Sequence, residues 1–144
     1  KYALKMYLSP VEMKHEVFKD GWFNTGDLGY IDENKNLYIT GRTKEMIKKG
    51  GININPNEIN EILLKHNAVL ESTIVGIPDK HYGEEVIAFV VLSNTISEIS
   101  LLNYIRQFFP VSHVPKKVIF CDSLPKGSYN KVQNHILKKM ITHV

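Results

Sequence analysis

A single cysteine, Cys121, stands among 144 residues. No internal disulfide can form and no cysteine pair offers metal-ligand spacing, which fits a reducing, cytoplasmic setting. Long apolar runs are missing too. The longest, 86–92, falls far below the roughly 20 residues of a membrane-spanning helix and suits one buried strand. The chain starts at Lys1 without a signal-peptide pattern, so it reads as a piece of a longer chain whose natural beginning is missing. Neither sign of charge dominates. Lysine and arginine number 18 against 15 aspartate and glutamate, and the resulting +3 is scattered, a weak basis for nucleic-acid binding. The six histidines have no ligand spacing, and no metal site is expected. Gly50-Gly51 is not followed by Gly-Lys-Ser/Thr, so it does not read as a phosphate-binding P-loop. Repeats and low-complexity tracts are absent. What remains is 43% hydrophobic and 23% charged, the composition of a soluble globular protein of one modest domain.

Along the chain, Ser9-Pro10-Val11-Glu12 is a helix-start signal, with the helix expected to end near Asp20-Gly21. Tyr30-Ile31 and Leu37-Tyr38-Ile39 flank a polar turn and predict a hairpin. A domain boundary is placed at Gly41. Residues 45–54 read as a second hairpin about Gly50-Gly51. Asn55-Pro56-Asn57-Glu58 then opens a helix whose apolar face carries Ile59, Ile62 and Leu63. Residues 69–77 form a strand that stops at Pro78-Asp79, and 85–92 form another. A helix capped within 95–98 presents Leu101, Leu102, Ile105, Phe108 and Phe109 to the core and is closed by Pro110. Residues 118–120 make a short strand. A last helix over 131–140 buries Val132, Ile136 and Met140. Strands and helices that alternate in this way predict an α+β fold, a small mixed sheet flanked by helices. Trp22 and Phe23 read as packing residues.

Three blocks hold residues suited to chemistry. They are Asp20-Gly21-Trp22-Phe23-Asn24-Thr25-Gly26-Asp27-Leu28-Gly29, then Gly41-Arg42-Thr43-Lys44 on through Lys48-Lys49-Gly50-Gly51-Ile52-Asn53-Ile54, and Leu124-Pro125-Lys126-Gly127-Ser128-Tyr129-Asn130-Lys131. Gly76-Ile77-Pro78-Asp79 with Tyr82-Gly83-Glu84 supports them. In order and approximate spacing they resemble the adenylate-forming superfamily of acyl-CoA synthetases, luciferases and peptide-synthetase adenylation domains. The resemblance covers essentially the whole chain and is strongest to acyl-CoA synthetases of the fatty-acid-CoA ligase type.

The resemblance implies that residues 1–40 are the tail of a large amino-terminal AMP-binding domain and that 41–144 are the small mobile carboxyl-terminal domain. The parent would convert a carboxylic acid, ATP and coenzyme A into acyl-CoA, AMP and pyrophosphate through an acyl-AMP. Magnesium would accompany ATP, held mainly outside this chain. A carboxylate is a poor acyl donor, and attack on the α-phosphate gives it a good leaving group. That chemistry needs a ribose anchor, a cation at the reacting centre and a way to admit a thiol.

By resemblance Asp27 is the ribose anchor, since a carboxylate accepts from both hydroxyls of a 2′,3′-diol; taken alone it reads as a turn residue after Gly26. Arg42 would contact ribose or phosphate oxygens, or form a surface ion pair, and the two are compatible. Lys131 matches the adenylation lysine that bridges carboxylate and α-phosphate. There the chain departs from the pattern, with Gly127 for the usual Thr and Asn130 for the usual Gly. Asn130 can adopt the left-handed conformation of that glycine or cap the last helix. Lys44 matches the hinge about which the small domain rotates between half-reactions. Lys48, grouped with Lys131 as catalytic, and Gly50-Gly51 lie on the stretch that swings in for thioester formation, where Gly51 lets backbone approach the pantetheine arm. A plain Gly-Gly turn is the alternative. A ligase that loads a carrier protein and a non-catalytic binding module are the rival functions.

Overall fold

The computed structural model describes residues 18–19 and 22–142. These fall into two compact units that part between Lys44 and Glu45. No helix among the described residues is long and apolar enough to cross a membrane.

Among the described residues, the first unit contains two antiparallel ribbons. β1 (Phe18–Lys19) pairs β2 (Trp22–Phe23), and β3 (Asp27–Ile31) pairs β4 (Leu37–Arg42). The expected helix over 9–20 lies outside the described residues except at its end, where Phe18 and Lys19 are strand instead. Trp22 and Phe23, expected to pack, are both exposed, Trp22 the more so. The β3–β4 hairpin follows its sequence signal. Asp32 closes the turn by accepting the Asn36 N–H at 2.8 Å and the Asn36 amide at 3.0 Å. Gly41 and Arg42, expected to open the small domain, complete β4 opposite Leu28 and Asp27.

The second unit is a mixed sheet in the order β6 (Ile52–Ile54), β5 (Ile47–Lys49), β8 (Gly83–Leu92), β7 (Val69–Asp79), with β9 (Lys117–Phe120) parallel to β8. β5 and β6 form the Gly50-Gly51 hairpin, while Glu45 belongs to a 3-10 turn, Thr43–Glu45, ahead of it. β7 and β8 are its long strands. β8 explains the apolar run. Val86, Ala88 and Val90 face one core with Ile59, Leu63, Leu101 and Ile105, while Ile87, Phe89 and Val91 face another with Val75, Leu124 and Leu137. A strand covered on both faces reads as continuous rather than alternating hydrophobicity.

Helices α1 (Pro56–Leu64) and α2 (Glu98–Ile105) cover the first face and α3 (Asn134–Thr142) the second. α1 begins as expected: Asn55 Oδ1 accepts the Asn57 N–H at 3.1 Å, and Pro56 occupies the first turn. α2 is capped by Ser97, whose hydroxyl accepts the Ser100 N–H at 3.1 Å. It ends at Ile105, short of Phe108, which stays exposed and meets Tyr104 edge-on. Phe109 does pack against the core. β7 does not stop before Pro78 but pairs through it, Pro78 opposite Glu84. β7 is an edge strand, where a missing N–H is tolerated. α3 starts later than expected and buries Leu137 in place of Met140.

Candidate functional site

In the first unit the Thr25-Gly26-Asp27 turn is tied by short polar side chains. Asn24 Oδ1 accepts the Gly26 N–H at 2.9 Å, and Thr25 Oγ1 accepts the Asp27 N–H at 3.1 Å. Gly26 has φ +73°, which a residue with a Cβ adopts at a cost, and its carbonyl accepts the Thr43 N–H at 2.8 Å. Asp27 leaves the turn as the first residue of β3 and faces Arg42, its cross-strand partner. Arg42 Nε lies 2.9 Å from Asp27 Oδ1, and the arginine side chain is 62% exposed. The ion-pair reading of Arg42 therefore holds in this structure, and it sets a carboxylate acceptor beside guanidinium donors. Lys44 lies exposed in the 3-10 turn, the last residue of the first unit.

In the second unit Lys48, Gly50 and Gly51 share one hairpin. Gly50 (φ +56°) and Gly51 (φ +82°) form a two-residue turn with both residues left-handed, the twist-matched geometry for joining antiparallel strands. A Cβ on Gly51 would meet nothing within 4 Å, so the backbone at the tip faces open space. Lys48 is exposed on β5, opposite Asn53.

Lys131 leaves a tight loop in extended conformation, φ −81° and ψ 130°. Its side chain is 82% exposed, and its ammonium reaches Glu45 Oε1 at 4.0 Å. The loop folds back on itself. The Gly127 N–H donates to the Lys131 carbonyl at 2.9 Å and the Gln133 N–H to the Pro125 carbonyl at 2.8 Å. Asn130 takes the left-handed conformation, φ +60°, and does not cap the last helix, which starts at Asn134. Val132 lies ahead of that helix and packs against the second core from the loop.

Sequence reasoning passed over several charged groups that build these surfaces. Lys49 and Glu85 form a mostly buried ion pair, and Glu84 accepts the Lys48 N–H. Lys126 pairs Glu71 at 2.8 Å, which ties the lysine loop to β7. Glu84-Glu85 directly before the apolar run was the available signal, because a carboxylate entering a core needs a partner. Asp79 accepts the His81 and Tyr82 N–H groups at 2.9 and 3.0 Å, and these, with Lys116 beside it, hold its carboxyl below its ordinary value. Burial, then the Asp122 charge, pushes the Cys121 thiol up, away from a reactive thiolate.

A small mixed sheet with helices on both faces is the architecture of the carboxyl-terminal domain of adenylate-forming enzymes. Residues 58–131 match the family described as AMP-binding enzyme C-terminal domain, and the chain belongs to that family. It is 37% identical over 135 residues to a 2-succinylbenzoate–CoA ligase of Bacillus mycoides, covering 94% of this chain and 28% of the ligase. It is 41% identical over 140 residues to a sulfoacetate–CoA ligase of Cupriavidus necator, covering 95% of this chain and 27% of that protein. The fold matches o-succinylbenzoate CoA synthetase from Bacillus subtilis in complex with its acyl-adenylate intermediate, with TM-score 0.81 and 35% identity over 93% of this chain and 28% of that one. The same synthetase in complex with ATP and magnesium matches with TM-score 0.80. The chain thus spans little more than a quarter of the length of these proteins.

Proposed function

We propose that this chain is the carboxyl-terminal part of an AMP-forming acyl-CoA synthetase. The complete protein joins a carboxylic acid to coenzyme A at the expense of ATP, through an acyl-AMP. In this reading the first unit continues a large amino-terminal domain, the second is the mobile small domain, and the protein works in the cytoplasm. The similar ligases are named for acids as unlike as 2-succinylbenzoate and sulfoacetate. A fatty acid is therefore one member of the substrate class rather than its definition.

The observation that carries the reading is the Asp27–Arg42 pair at 2.9 Å, set on adjacent strands at the end of a tied turn. Asp27 would accept from the ribose hydroxyls, and Arg42 would donate to ribose or phosphate oxygens. Lys131, on an exposed and mobile-length side chain, would follow negative charge developing between carboxylate and α-phosphate. The Lys48–Gly51 hairpin would meet the thiol after rotation about Lys44. Magnesium would accompany ATP and neutralise its phosphates, held chiefly by residues of the larger domain.

The test is acid-dependent pyrophosphate release by the complete protein with ATP and magnesium, followed by coenzyme A-dependent release of AMP. Asp27→Ala should raise the KM for ATP about tenfold or more, as expected when a charged hydrogen-bond partner is lost. The 144-residue chain alone should release no pyrophosphate with any acid, because in this reading the acyl pocket belongs to the larger amino-terminal domain. Acid-independent behaviour of the complete protein, or an unchanged KM in Asp27→Ala, would overturn the assignment.

A further inference from the structure

β5 joins β8 through a single pairing, Lys49 with Gly83. That is a thin attachment for the hairpin that carries Lys48, Gly50 and Gly51. Two carboxylates at the start of β8 reinforce it. Glu84 Oε2 accepts the Lys48 N–H at 2.7 Å. Lys48 sits one place before the Lys49–Ile52 pair that closes the turn. There an antiparallel amide is directed away from its partner strand and needs an outside acceptor. Glu85, whose side chain is 5% exposed, holds the Lys49 ammonium, and the same oxygen accepts the Val86 N–H at 3.0 Å. The Lys49 ammonium also lies 6.0 Å from the Tyr82 ring centre, while the Tyr82 carbonyl accepts the Gly50 N–H at 2.8 Å.

Gly76 on β7 completes the arrangement. A Cβ there would lie 3.0 Å from Glu84 Oε1 and 2.9 Å from Ile47 Cγ2, so the missing side chain leaves room for the carboxylate beneath the hairpin. A buried ion pair contributes little net stability compared with packed apolar groups, and its best-attested use is to fix geometry.

We propose that Glu84 and Glu85 are positioning residues, which anchor Lys48 and Lys49 so that the Gly50-Gly51 tip meets the thiol in one fixed attitude. The functional half of this rests on the synthetase reading above; the anchoring half does not. Amide hydrogen exchange in this chain tests the anchoring. Glu84→Ala should quicken exchange at the Lys48 amide by about tenfold or more, the scale of one charge-assisted hydrogen bond, and leave Val90 in β8 unchanged. Gly76→Ala should do the same by displacing the carboxylate without altering it. Unchanged Lys48 exchange, or equal quickening at Val90, would overturn the anchoring.

In the complete protein, Glu84→Ala and Glu85→Gln should slow acyl transfer from supplied acyl-AMP to coenzyme A about tenfold while acyl-AMP formation holds its rate. Glu84→Gln, which keeps an acceptor for the Lys48 amide, should recover most of the loss. Equal slowing of both half-reactions, or no rescue by glutamine, would refute a positioning role. A wild-type protein that makes no acyl-AMP would refute the synthetase reading and the functional half with it, while the exchange experiment still decides the anchoring.

Discussion

Replacing Leu137 by alanine should cost about 3 kcal/mol of stability. Leu137 is 2% exposed and packs with Val75, Ile87, Phe89, Val91 and Leu124. The change removes the branched end of the side chain. At roughly 0.8 kcal/mol per buried methylene-sized group, the lost transfer energy alone is about 2 kcal/mol, and the cavity adds to it. Leucine-to-alanine changes in cores span about 2–5 kcal/mol. α3 lies over a single sheet face, so its neighbours can settle toward the gap, which places the cost in the lower half of that span. A loss of about 3 kcal/mol lowers the folded-to-unfolded ratio more than a hundredfold. Met140→Ala is the control. Met140 is 62% exposed, and its truncation should fall within about 0.5 kcal/mol of wild type. Urea titration of this chain followed by circular dichroism measures both variants. An unchanged slope with a lower midpoint assigns the loss to folding as a whole, and a smaller slope shows α3 leaving the sheet first. Equal effects of the two substitutions, or a greater loss from Met140→Ala, would refute this placement of the helix.

In the complete protein, Lys131→Ala should slow acyl-AMP formation at least about a hundredfold, the scale of losing one preorganised donor, with far less effect on transfer from supplied acyl-AMP. Equal damage to both steps would point to misfolding of the loop instead. Lys44→Pro should preserve acyl-AMP formation and depress thioester formation steeply, because proline fixes φ near −65° and bars rotation, while Lys44→Gln should do little. Unimpaired thioester formation in the proline variant would remove Lys44 as the hinge. Asp79→Asn should flatten the acid limb of stability measured by urea titration between about pH 2 and 6. The folded carboxyl is held below its unfolded value, so its contribution is present above about pH 4 and is lost as pH falls through the lower, folded value. An acid limb identical to wild type would contradict that sign.

Much of the fold was legible because local signals and packing agree. Gly50-Gly51 marks a two-residue turn, and the flanking strands follow. Asn55-Pro56 marks a helix start, and Ile59 and Leu63 on its inner face are fully buried. The run 86–92 is a central strand because both its faces are covered. The misses occur where a tertiary contact settles what periodicity leaves open. Pro78 looks like a stop, yet an edge strand accommodates it. Phe108 has helical spacing, yet the helix ends at Ile105 and the ring packs on Tyr104 at the surface. At the candidate site, residue identity was visible in the blocks, but the partners were not. No spacing rule connects Glu84 with Lys48, or Lys126 with Glu71, because these pairs are made by strand register and loop placement across the chain.

Asn130 and Gly127 each answer a local demand of the loop, one of backbone conformation and one of space. The loop requires left-handed backbone at consecutive positions, φ +66° at Tyr129 and φ +60° at Asn130. Glycine meets that need without cost, and asparagine is the side chain that meets it next most readily. Tyrosine meets it less well, at roughly 1–2 kcal/mol, and the Tyr129 side chain is fully exposed, so its own packing does not offset the cost. The compensation comes from both sides. Lys126 bridges to Val132 and pairs Glu71, and the Gln133 N–H closes onto Pro125. At Gly127 the demand is one of space. A Cβ there would lie 2.4 Å from Gln133 Nε2, so a larger residue at 127 would require the Gln133 side chain to move. Lys131 emerges extended into solvent between two pinned ends. Strain of this kind persists only where surrounding contacts over-determine it, and such places concentrate at functional sites. Tyr129 and Asn130 thus build the left-handed turn immediately ahead of Lys131.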